Sequence, residues 1–126
     1  MDYTVSWGGE VEDLSLKTSG SASVDDLHEM VNEVLEDERF RTGMKVLVDH
    51  TDASWRGLSR AEIRRRADLL AQDAARIGPQ RIAFVVSRQV DFGLGRMLEG
   101  LIYDRTLMQT QIFDSLEAAR AWLNTP

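Results

Sequence analysis

Met44-Lys-Val-Leu-Val-Asp49, followed by the polar stretch His50–Gly57 and an amphipathic run from Ser59, reads as a strand, a loop and a helix in succession. The chain repeats that grammar further on. Arg81-Ile-Ala-Phe-Val-Val-Ser87 is a second strand, Arg88–Asp91 a short link, and an apolar-periodic helix runs from Phe92 to Tyr103. Consecutive strand–helix units of this length set their strands parallel, joined by right-handed crossovers. Ile82–Val86 offers no polar residue to either face, which predicts a strand covered on both sides at the centre of the sheet. In open sheets of this kind, ligands and partners bind beyond the carboxyl ends of the strands.

Working outward from these units, Tyr3, Val5 and Trp7 alternate with polar residues, the pattern of a half-buried strand. Gly8-Gly9 supplies a turn, Val11–Lys17 pairs back as a hairpin, and Thr18–Ala22, small and polar, reads as a loop. Ser23 is placed to cap a helix whose stripe is Leu27, Met30, Val31, Val34 and Leu35. Ser59-Arg-Ala-Glu62 forms a capping box for the longest helix, with Ile63, Ala67, Leu70, Ala74 and Ile77 on one stripe, stopped by Gly78-Pro79. A strand at Gln109–Phe113 and a closing helix opened by Asp114 or Ser115, carrying Ala118, Ala119, Trp122 and Leu123, complete the chain. The expected architecture is one α/β domain over residues 1–126, a five-stranded mixed sheet with an N-terminal hairpin and four helices.

Composition narrows the function classes. A length of 126 residues with 43% hydrophobic content suits one ordinary core. There is no cysteine, which excludes disulfides and thiolate metal sites. The start lacks a basic n-region and no long apolar run occurs, so the expectation is a cytoplasmic chain with no membrane span. The net charge of −6 argues against nucleic acid as a partner. The one basic cluster, Arg64-Arg65-Arg66 with Arg60 before it, reads as a solvated helix face, with Glu62–Arg66 and Arg64–Asp68 spaced for ion pairs.

The richest polar strand end is Asp49 with His50, Thr51, Asp52, Ser54, Trp55 and Ser59. His50 and the aspartates have the chemistry for acid–base work, but Asp and Thr more commonly bond nearby backbone amides in loops. With His28 the only other histidine, no histidine cluster for a metal exists, and no nucleophile–base pair is evident. Trp55 in a polar stretch is either a lid on the core or an aromatic anchor for a partner. Gly93-Leu-Gly95 lacks the third glycine of a dinucleotide fingerprint, Leu98 standing there, and reads as close helix packing. Arg96, in the first turn of a helix starting at Phe92, is either an anion ligand or a surface partner for Glu99 or a neighbouring acidic loop residue.

Several segments carry a family resemblance over nearly the whole chain. They are Ser23-Val-Asp-Asp-Leu27, Phe40-Arg-Thr-Gly43, Leu47-Val-Asp49, Ala83-Phe-Val-Val-Ser87, Phe92-Gly-Leu-Gly-Arg-Met97 and Ile112-Phe-Asp-Ser-Leu-Glu-Ala-Ala119 with Trp122-Leu123. In this order of elements the chain resembles the STAS domain, and more closely the SpoIIAA-like family of small bacterial proteins, related in fold to CRAL-TRIO lipid-binding domains. The STAS phosphorylation segment Asp-Ser-x-Gly is replaced here by Asp52-Ala-Ser-Trp-Arg-Gly-Leu-Ser59, where Ser59 holds a topologically similar place.

The resemblance implies a non-enzymatic regulatory or protein-interaction module, with no cofactor and an undefined partner. The alternative is a binder of a small apolar or acyl ligand in a crevice beside the 92–103 helix, lined by Phe92, Met97, Trp55 and Leu98. A hydrolase using Asp49 and His50 is a third class. Candidate binding residues are therefore Asp49, His50, Asp52, Trp55, Ser59, Phe92, Arg96 and Met97. A homodimer is expected, because a sheet apolar on both faces needs cover and the hairpin presents an edge.

Overall fold

The computed structural model describes residues 1–126. β1 (Asp2–Trp7) turns at Gly8 and pairs antiparallel with β2 (Leu14–Ser21), with Val5 opposite Leu16 and Trp7 opposite Leu14. β2 then pairs in parallel with β3 (Lys45–Ser54), a strand of ten residues. Here the structure departs from the polar reading. Thr18–Ser21 is strand rather than loop, and β3 absorbs most of the expected loop His50–Gly57. Beyond a bulge between Lys17 and Ser19, Ser19 pairs with Asp52, Gly20 with Ala53 and Ser21 with Ser54. Backbone pairing between two chain segments overrides side-chain types that favour turns.

β4 (Arg81–Val85) and β5 (Gln109–Phe113) extend the sheet in parallel, giving the order β1-β2-β3-β4-β5. β4 is interior, as its apolar run predicts, but the middle strand is β3.

Five helices form where four were expected, four of them substantial. α1 (Val24–Glu36) is capped by Ser23, whose hydroxyl accepts from the Asp26 amide at 3.3 Å. α2 (Arg60–Gln72) opens with the full capping box: the Glu62 amide donates to Ser59 Oγ at 3.1 Å and the Ser59 amide to Glu62 Oε1 at 3.0 Å. The helix breaks at Asp73, leaving Ala74–Ile77 as the short α3. Gly78 then turns the chain with φ +66, and a Cβ there would come 2.6 Å from Thr42 Cγ2, so only glycine fits. α4 (Gln89–Ile102) begins three residues before Phe92, which draws Asp91 into its first turn. α5 (Leu116–Leu123) is capped by Ser115, which accepts from the Ala118 amide at 3.1 Å.

The helices divide unequally between the faces. On one face Leu14, Leu16, Val46, Val48, Ile82 and Phe84 pack beneath Leu27, Met30 and Val34 of α1. Beside them, Ile63, Ala67 and Leu70 of α2 meet Leu98 and Ile102 of α4. Gly95 lets α4 lie close to β5, since a Cβ would meet Ile112 Cδ1 at 2.9 Å. On the other face α5 alone covers β3 and β4, setting Ala119 and Leu123 on Leu47, Ala83 and Val85. No helix is long and apolar enough to cross a membrane.

A candidate ligand cavity beneath the first helix

Alternation along β3 decides what its polar end can do. Val46, Val48 and His50 face α1 and α2, whereas Leu47 and Asp49 face α5, so Asp49 and His50 lie on opposite sides of the sheet. Asp49 Oδ1 accepts from the Thr51 amide at 2.9 Å and from its hydroxyl at 2.6 Å, while Lys17 Nζ stands 3.9 Å from Oδ2. Asp52 is exposed and pairs with the same lysine at 3.3 Å. These are loop-stabilising and surface contacts, and they do not assemble an acid–base pair with His50.

His50 is fully buried. Its ring stacks on Phe84 with centroids 6.2 Å apart and meets Trp55 edge-on at 5.1 Å. Its Nδ1 lies 2.6 Å from Thr18 Oγ1, and Nε2 has no partner. Burial, and then the positive charge of Arg66, push the imidazole down to about 3 against the smaller pull of Asp49. At neutral pH it is an uncharged aromatic wall.

The remaining candidates scatter. Trp55 is 1% exposed, which settles its two readings in favour of the core. Its amide donates at 3.2 Å to Oδ1 of Asp91, a completely buried carboxyl that burial pushes upward. Ser59 spends its oxygen on the α2 cap. Phe92 is half-buried, edges an open pocket of about 370 Å3 with Val86, Ser87, Arg88, Gln89 and Asp114, and lies under Arg96 at 5.3 Å. Because α4 starts at Gln89, Arg96 is mid-helix, away from the free amides of the first turn, and forms no ion pair with Glu99. Met97 and Leu98 pack into the α2–α4 core. Of the residues expected to line a crevice beside α4, Trp55, Met97 and Leu98 therefore pack into the core, and Phe92 borders an open pocket of different lining.

A cavity of about 70 Å3 lies instead between α1, α2 and the sheet. Its floor includes Leu16, Val48 and Phe84, its roof Met30, Val34 and Leu35, and one wall Arg66 and Leu70. Val31, Leu35, Phe40 and Met108 are the half-exposed members of the lining, where it reaches solvent. Fourteen of the sixteen lining residues are hydrophobic, so the two polar ones, Gln80 and Arg66, define its chemistry.

Gln80 is satisfied. Its Oε1 accepts from the Met44 amide at 2.8 Å, and its Nε2 donates to the carbonyls of Arg41 and Ile77 at 3.0 and 2.9 Å. Arg66 is 4% exposed, its Nε is buried with no acceptor, and no carboxylate pairs with it. The expected Glu62–Arg66 and Arg64–Asp68 pairs do not form: Glu62 turns back to the cap, and Asp68 pairs with Arg105 at 2.9 Å. Arg65, one residue away, reaches Asp25 on the surface. Burial pulls the Arg66 guanidinium down to about 10, which still leaves it charged at neutral pH. An uncompensated buried charge of this kind costs several kcal/mol. A legible signal pointed to it: Arg66 is three residues after Ile63 and four before Leu70, on the apolar stripe, and the run of three arginines obscured that register.

No protein-family model and no curated protein matches the sequence. Among solved structures, the chain is similar to an uncharacterized protein of the DUF3478 family with a SpoIIAA-like fold from Shewanella loihica PV-4. The TM-score is 0.60 at 16% identity, over 96% of this chain and 93% of that one. Similarity at this identity is one of architecture, and together with the strand order it gives this chain the SpoIIAA-like fold.

Proposed function

We propose that this chain is a non-enzymatic binding module that takes a small apolar or acyl ligand in the cavity between α1, α2 and the sheet. The observation that supports this reading is a cavity of about 70 Å3, with an apolar lining that reaches solvent, in the main core of the domain. Protein interiors leave few voids larger than a water molecule, and apolar voids stay dry and accept apolar guests. The separation of Asp49 and His50 onto opposite faces favours binding over hydrolysis.

Titration with 1-hexanol followed by methyl NMR tests the reading. The methyl signals of Met30, Val34 and Leu70 are expected to shift together and saturate. Leu70→Trp, which fills the cavity, is expected to abolish the effect. An absence of saturable shifts, or shifts confined to surface methyls, overturns it.

The interaction-module reading has separate support in the outer edge of β1, whose backbone pairs on one side only. A second copy adding antiparallel to that edge is the form of homodimer it favours.

A further inference from the structure

Arg66 is the one polar group in the cavity lining that the chain does not satisfy. Gln80 has three hydrogen bonds, while Arg66 has no hydrogen-bonding or ionic partner and its Nε is shut away from water. The nearby imidazole of His50 is uncharged at neutral pH and supplies no balancing negative charge. A charged group is rarely held inside a protein unless something pairs with it.

We propose that the ligand is a short aliphatic carboxylate, its carboxylate seated on the Arg66 guanidinium and its hydrocarbon tail in the cavity; this rests on the ligand-binding function proposed above. A guanidinium presents coplanar N–H donors in a fork that matches both oxygens of a carboxylate. One positive charge is balanced by one negative charge, whereas a phosphate monoester carries more charge than a lone arginine neutralises. The tail is accommodated by Leu16, Val48, Phe84, Met30 and Leu70, which offer it no polar contact. A volume of about 70 Å3 sets the tail short, and the flexible thioethers of Met30 and Met108 can yield to lengthen the space.

Calorimetric titration of the full chain with sodium hexanoate and, separately, with 1-hexanol tests the assignment. The wild-type protein is expected to bind hexanoate at least tenfold more tightly than the alcohol. Arg66→Met, which keeps the length and removes the charge, is expected to reverse that preference, and Arg66→Lys to restore part of it. Equal or tighter binding of the alcohol by wild type, or unchanged hexanoate affinity in Arg66→Met, overturns the carboxylate assignment and leaves the apolar cavity reading standing. Binding of neither compound overturns both. Should Arg66→Met fail to fold, the wild-type preference between the two compounds decides alone.

Discussion

At the scale of single residues, His50 shows how position on a strand outweighs side-chain chemistry. Its neighbours Val46 and Val48 share its face, and period-two alternation carries all three into the core. Its neutral, buried state has a pH consequence with a definite sign. The folded imidazole titrates near 3 and the unfolded one near 6.5. Between those values the unfolded chain binds a proton that the native chain refuses, so stability falls as pH falls through this window. Each pH unit is worth at most about 1.4 kcal/mol. Urea melts at pH 7 and pH 5 are expected to show a loss of about 2 kcal/mol in wild type beyond that in His50→Phe, which keeps the ring and removes the titration. Equal losses in the two proteins would remove His50 as the cause. The buried location was readable from alternation once β3 extended past Asp49. The polar company of Thr51, Asp52 and Ser54 argued for a loop and hid it.

At the scale of elements, the helix starts were the most legible feature, because caps depend on contacts only three residues apart. Ser23, Ser59 and Ser115 all accept from the amide three residues on. Ser59→Ala is expected to destabilise the protein by about 0.5–2 kcal/mol, read from urea denaturation, since it breaks a complete capping box. An unchanged midpoint would mean that solvent replaces the cap without cost. Elements defined by long-range pairing were harder to read. The far halves of β2 and β3 exist because they face each other, and neither segment carries a β-rich composition of its own. α4 likewise begins three residues before Phe92, and its first turn carries Asp91, which accepts from the Trp55 amide across 36 positions. The cavity belongs to the same class, since its lining comes from three helices, three strands and the segments between them.

At the scale of the whole molecule, the fold class and the parallel arrangement followed from the repeated strand–helix grammar, and the interior place of β4 from its apolar faces. The need for a second subunit to cover the sheet did not survive. α5 closes the second face over β3 and β4, and Tyr3, Val5 and Trp7 turn toward the α1 side, where they are half-buried. A dimer can still use the backbone edge of β1, which pairs on one side only. Sedimentation equilibrium at micromolar concentration reads this directly: twice 14.2 kDa supports edge pairing, and 14.2 kDa at every concentration rules it out. Substituting Lys for Thr4, an exposed residue of that edge strand, is expected to return such a dimer to monomer, because a charged side chain on an edge opposes pairing.

The strand order β1-β2-β3-β4-β5 runs in step with the chain itself. Each new strand is laid against the one made before it, and none has to be threaded between two already paired. Loop-closure entropy is then met in small instalments, which favours rapid assembly over the slow search typical of sheets with distant partners. A ribosome releases the amino end first. The hairpin and β3 can therefore be in register while β5 and α5 are still being synthesised, and the nascent sheet grows from a single advancing edge.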